Sequence, residues 1–269
     1  MEGDIRSTVK SSFQISTLSE SGSGYVSDVE RVRAFWRHVE HYDAGSQVRQ
    51  GERSGLEKRL IIVSGWACEL RILPDGRRQI FSFLLPGDAI EARGAGSVGA
   101  CGVVALTRLE VVNHGPQLTA DPAYRDAARQ ALYEAALQRE RRLYDHLVRM
   151  GRLSAKERVI HLLLELHERL ERVGLVHGET FKIPLTQEVF ADALGLSVVH
   201  INRTLKGLRK EGWVCIKAGS VTLRNRPRLA AASCYRSEAD DLEFDALMQR
   251  AGEDRMSCAA PPPRRNLSA

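Results

Sequence analysis

The residues best suited to recognition chemistry lie in Ser197-Val-Val-His-Ile-Asn-Arg-Thr-Leu-Lys206. On a helix starting at Ser197, the first turns present Val198, Val199, Asn202 and Arg203, with His200 beside them. Such a set suits the edges of stacked bases. A guanidinium donates to both acceptors of a guanine, and a valine methyl rests on a thymine methyl. Two valines make no bidentate bond to guanine, so an A·T preference is expected opposite Val198 and Val199, and Arg203 is the candidate for guanine. Around the set stand donors for phosphate: Thr186, Gln187, Ser197 and Lys206, then Lys217 and Ser220. Phosphate contacts position the reader and base contacts specify the sequence.

Local patterning predicts the elements that would hold these groups. Leu185 to Gly212 reads as two short helices joined by a tight turn, the arrangement that lays its second helix in a DNA major groove. Phe190, Leu194, Leu196, Ile201, Leu205 and Leu208 fall where two crossed helices bury one another. Ala191 allows close approach, and Gly195 supplies the turn. Thr186 and Ser197 stand as N-caps, with Gly212 as the C-cap. Trp213 to Leu223 holds two β-rich runs split by Ala218-Gly-Ser220, a hairpin signal. A hairpin directly after a recognition helix is a wing, and Arg224 joins Lys217 and Ser220 as a donor there. The Lys and Arg excess between Gly151 and Leu229 is densest at Arg203, Lys206, Arg209 and Lys210.

The rest of the 269 residues suits a second domain. Residues 1–28 are Ser- and Gly-rich and read as a flexible tail. A short helix is expected from Val29 to Val39, opening a β-domain over 29–118. Leu60–Val63, Ala67–Leu73 and Gln79–Leu85, with Gly and Pro turns between them, predict an antiparallel roll. Residues 119–150 read as a long helix whose seam of Leu132, Ala136, Leu143, Leu147 and Met150 packs on its own β-domain or, as we favour, on a second copy. Ser154-Ala-Lys-Glu157 is a capping box that opens a winged-helix domain over 151–229. Residues 230–269 read as a poorly ordered tail, with one weak helical stretch near Leu242 to Met248.

Other chemistries find little support. The formal charge of +5 only permits a polyanionic partner. Cys68, Cys101, Cys215, Cys234 and Cys258 are dispersed without metal-binding spacing, which suggests reduced thiols and a cytoplasmic location. Neither a secretory signal nor an apolar run of membrane-spanning length is expected. There is no Walker loop, no G-x-S-x-G and no H-E-x-x-H, and His161 and His167 are not at metal-binding spacing, so the reading is of a protein that is not an enzyme.

A β-roll, a long helix and a winged helix in that order resemble the Crp/Fnr family of bacterial transcription regulators. The likeness is carried by Gly65-Trp66, Pro74-Asp-Gly-Arg-Arg-Gln79, Leu85-Pro-Gly-Asp88 and all of Leu185 to Gly212. It implies an α+β fold with an N-terminal jelly roll, a dimerisation helix and a C-terminal winged helix-turn-helix. The partners implied are double-stranded DNA bearing an inverted repeat, a second copy of the chain, and RNA polymerase, with no membrane. Cyclic-nucleotide binders of the family carry Gly-Glu and then Arg with Ser or Thr after Pro-Gly-Asp. Here the stretch is Glu91-Ala-Arg-Gly-Ala-Gly-Ser-Val-Gly-Ala-Cys-Gly102, which lacks that pattern. Glu91, Arg93, Ser97 and Cys101 define a candidate effector pocket of unknown ligand, and no cofactor or metal is expected. Residues 1–67 hold no cysteine, against an N-terminal iron–sulfur cluster. DNA binding is therefore expected without cyclic AMP. The alternative is gating by a cyclic nucleotide or dinucleotide, by haem at His38, His41, Cys68, Cys101 or His114, or by thiol oxidation at Cys101 or Cys68.

Overall fold

The computed structural model describes residues 39–48, 59–91, 101–113, 122–237 and 239–240. Seven strands form the N-terminal body: β1 (Val39–Tyr42), β2 (Arg59–Ser64), β3 (Ala67–Ile72), β4 (Arg78–Leu84), β5 (Ala89–Glu91), β6 (Cys101–Ala105) and β7 (Leu109–Asn113). They make two antiparallel sheets, ordered β1-β7-β2-β5 and β4-β3-β6. Leu60, Ile62, Leu84, Ile90, Val103, Leu109 and Val111 fill the space between them. The turn at Gly65 is obligatory: its φ is +88°, and a Cβ there would collide with the Arg108 carbonyl. All three strands expected from alternation are present within a residue or two. The helix expected over Val29 to Val39 lies outside the described residues except for Val39, which instead begins β1 and pairs with Val112.

Two long helices follow, α1 (Pro122–Arg152) and α2 (Ala155–Arg172). The capping box is formed, with Ser154 Oγ accepting from the Glu157 amide and the Glu157 carboxylate accepting from Ser154 N–H. Beyond α2 come β8 (Val176–His177), β9 (Thr180–Lys182), α3 (Gln187–Leu194), α4 (Val198–Lys210), β10 (Val214–Lys217), β11 (Ser220–Leu223) and α5 (Arg226–Ser233). The expected wing hairpin is β10–β11. It is widened by β9 and β8 into a sheet ordered β10-β11-β9-β8. The 230 boundary of the expected tail falls inside α5. Asn225 caps this helix, Leu229 is fully buried, and Tyr235 beyond it hydrogen-bonds Glu168 of α2. The stretch 242–248 lies outside the described residues.

The two bodies share one apolar core. Trp66, Cys68, Leu70, Ile80, Phe83 and Leu85 of the roll pack with Val159, Leu163, Leu166 and Leu170 of α2. A buried ionic chain crosses the same seam. Arg169 donates to the Phe83 carbonyl at 2.8 Å, to Asp88 and to Glu165. Glu165 accepts from Arg149 of α1, and Arg149 also donates to His161 Nδ1 at 3.1 Å. Arg139 of α1 reaches Glu69 of β3 at 2.6 Å, and Arg78 of β4 reaches Asp192 of α3 at 2.7 Å. Arg139, His146 and Arg149 thus mark the side of α1 that faces its own chain.

Candidate nucleic-acid interface

The helix-turn-helix is built as local chemistry dictates. Thr186 Oγ1 accepts from the Val189 amide at 3.3 Å and Ser197 Oγ from the His200 amide at 3.2 Å, so both expected N-caps are formed. Gly195, at φ +60°, lets the chain turn between the helices, and the Leu196 amide closes back on the Ala191 carbonyl. The end of α4 is a Schellman motif. Trp213 N–H bonds Leu208 O and Gly212 N–H bonds Arg209 O around Gly212 at φ +74°. Gly212 is therefore the residue after the cap, with Glu211 in the cap position itself.

Burial divides α4 as recognition requires. Ile201, Leu205 and Leu208 are buried against Phe190, Ala191 and Leu194 of α3. Val198, Val199, His200, Asn202, Arg203 and Lys206 are exposed, with Val199 68% accessible. A valine so placed is left largely open to solvent by the described residues. The first turn of α4 carries no acidic residue. Its unsatisfied amides and positive dipole end therefore meet an anion without competition.

The flanking donors fall beside this helix. Thr186 and Gln187 are exposed at the start of α3. Thr186 and Ser197 accept through their oxygens in the caps, which leaves each hydroxyl proton available to donate. In the wing, Lys217 pairs directly with Ser220 across a two-residue turn, Ala218-Gly219, in which both residues have positive φ. Directly opposite residues share a face of the sheet, and Lys182 of β9 pairs with Ser220 on its other side. Lys182 is thus a third member of the row, which β-propensity across so short a strand did not signal.

The remaining expected sites are less complete. Arg93 and Ser97 lie outside the described residues, as does the Glu91 side chain at the end of β5. Cys101 begins β6 half-buried. Of the candidate haem or thiol groups, Cys68 is fully buried, which pushes its thiol up to about 12 and keeps it protonated. His41 faces Glu110 at 3.7 Å, while His38 and His114 lie outside the described residues. Among the described residues no three His, Cys, Asp or Glu side chains gather as a metal site, and no helix is long and apolar enough to cross a membrane.

Most of the expected dimer seam that is described faces outward, but not all of it. Leu147 is 64% exposed, and Ala136 and Leu143 are exposed as well. The exposed large apolar side chains of α1 are Tyr133, Leu137, Leu143, Tyr144, Leu147 and Val148. Met150 is turned the other way: its terminal methyl occupies the space beside Gly195 of the same chain. Of Leu132 only the helical backbone is described.

A Crp-like helix-turn-helix domain is matched over residues 157–232. The nitrogen fixation regulation protein FixK of Bradyrhizobium diazoefficiens is 32% identical over 165 residues, 60% of this chain and 68% of that protein. FixK of Azorhizobium caulinodans is 32% identical over 187 residues, 66% of this chain and 73% of that protein. The structure of FixK2 from Bradyrhizobium japonicum superposes with a TM-score of 0.61 at 27% identity, covering 74% of this chain and 98% of FixK2. With a winged helix-turn-helix whose second helix is exposed on one face, behind a two-sheet roll and a long helix, the chain belongs to the Crp/Fnr family of DNA-binding transcription regulators.

Proposed function

We propose that the protein acts in the cytoplasm as a homodimer that places one α4 in each half of an inverted repeat and does so without cyclic AMP. The observation that carries this reading is the division of α1 into two faces. One is held to its own chain through Arg139, Arg149 and His146. The other exposes Tyr133, Leu137, Tyr144 and Leu147 at heptad spacing. Large apolar side chains at steps of four, seven and three residues, with Glu140 at the intervening seam position, fit a parallel partner helix of the same sequence. A two-fold pair of α1 helices gives two winged helices related by the same axis, which matches a palindromic site. Val198, Val199, His200, Asn202 and Arg203 face the bases in this reading. Thr186, Gln187, Ser197, Lys206, Lys217 and Ser220 hold phosphate.

Independence from cyclic AMP rests on the cassette after Asp88. It supplies no Arg followed by Ser or Thr for a cyclic phosphate. A buried anion without a charge-assisted donor loses most of its recognition energy. RNA polymerase is the expected further partner of the bound dimer. Sedimentation of the purified chain with a labelled duplex tests the assembly. Two chains per duplex are expected for the wild type, and Leu147→Glu should yield a folded monomer that has lost specific binding. A monomeric wild type that still binds specifically would remove the homodimer from this reading.

A further inference from the structure

Arg158 sits where local helix logic disfavours it. It is the fourth residue of α2, in the turn where the helix dipole presents its positive end. Its guanidinium folds back instead onto three carbonyls of other segments. Nε donates to Leu153 O at 2.8 Å, Nη2 to Met150 O at 2.9 Å and Nη1 to Leu194 O at 3.1 Å. Met150 lies in the last turn of α1 and Leu194 is the last residue of α3. Such carbonyls have no intrahelical donor, and the negative ends of the two helix dipoles converge here. One cation satisfies both ends. A second contact joins the same elements. The Met150 methyl fills the space where a side chain on Gly195 would begin, so the end of α1 packs directly on the backbone of the recognition turn.

We propose that Arg158 is a positioning residue for DNA reading: it fastens the α3–α4 turn to the end of α1, so that the paired α1 helices set the separation of the two recognition helices. With the fastening intact, the dimer accepts one half-site spacing. With it loosened, the α3–α4 turn shifts against the end of α1, while the shared core and the Arg149–Glu165 pair still hold α2, and the dimer tolerates neighbouring spacings. Arg158 lies in the first turn of α2 and touches no base in this arrangement, so its effect appears in spacing and not in base preference. The inference rests on the homodimer reading above.

The test uses full-length protein and half-sites recovered by selection from a random duplex pool. These are rebuilt into duplexes whose central spacer grows or shrinks one base pair at a time. The wild type should favour one spacer sharply. Arg158→Ala should lower that preference by about tenfold, the discrimination typical of one wrong base pair, while the base preference within each half-site stays the same. Arg158→Lys keeps the charge but spans fewer carbonyls and should fall between the two. It also keeps the test valid should the alanine variant fail to fold. Equal loss of affinity at every spacer, which a merely structural role would produce, overturns the proposal. So does an unchanged spacer preference in both variants. A wild-type protein with no preferred spacer overturns this proposal and the homodimer reading together.

Discussion

Mild acid should destabilise this protein before its carboxylates titrate, because two histidines are buried neutral beside Arg149. His146 is 8% exposed and His161 3%. Burial, and then the Arg149 charge, lower both from 6.5 to about 4. For His161 the geometry agrees: Arg149 can only donate, so Nδ1 must accept and the ring carries its single proton on Nε2. The unfolded chain binds protons below about pH 6.5 that the folded chain refuses until about pH 4. Both folded values lie below the unfolded ones, so this stability is complete above pH 6.5 and is lost as pH falls toward 4. Each ring contributes about 1.4 kcal/mol per pH unit across that window, or about 3 kcal/mol in all. With both rings neutral in the folded chain over this window, the two contributions add. Glu165 acts later. Burial raises it, but Arg149 and Arg169 outweigh burial and hold it at about 2, so its contribution persists down to about pH 4.5 and fades below. Urea unfolding at stepped pH, with His161→Gln alongside, reads the slope directly. The variant should flatten it by roughly half. Wild-type stability that stays level between about pH 7 and 5 would refute the neutral burial of both rings.

Two further outcomes follow from the interface. Arg203→Ala should cost about 1–3 kcal/mol in affinity for the selected site and relax discrimination at one base pair per half-site, measured by competition binding; uniform weakening across all sequences would move Arg203 to the phosphate backbone. Calorimetry with cyclic AMP should show no binding and leave DNA affinity unchanged, whereas micromolar heat together with a gain in DNA affinity would restore a ligand-gated reading.

What was legible in the sequence was local. The caps at Thr186 and Ser197, the glycine turn at 195 and the buried stripe of Ile201, Leu205 and Leu208 all act within a few residues, so spacing alone places them. The roll was legible through alternation and turn chemistry. The inward facing of Met150 was not, because two apolar lines run along that helix. Met150 belongs to the line that meets Gly195, a residue 45 positions away (195 − 150). The Asp88–Arg169–Glu165–Arg149 chain was hidden for the same reason: Arg149, Glu165 and Arg169 look like solvated helix charges, and Asp88 like a turn residue, until the β4–β5 turn, α1 and α2 are brought together. The helix at Arg226–Ser233 depends on Asn225 in a left-handed cap and on Leu229 reaching α2, signals that an alanine-rich run does not advertise.

The central claim, that α4 reads bases in a two-fold symmetric duplex, is tested most directly by selecting binders from a random duplex pool with the wild-type protein. Enrichment of an inverted repeat is expected, with A·T pairs opposite Val198 and Val199 and a guanine for Arg203 in each half, bound with an affinity that falls steeply as salt rises. A pool that returns no enriched inverted repeat at any salt concentration would contradict it.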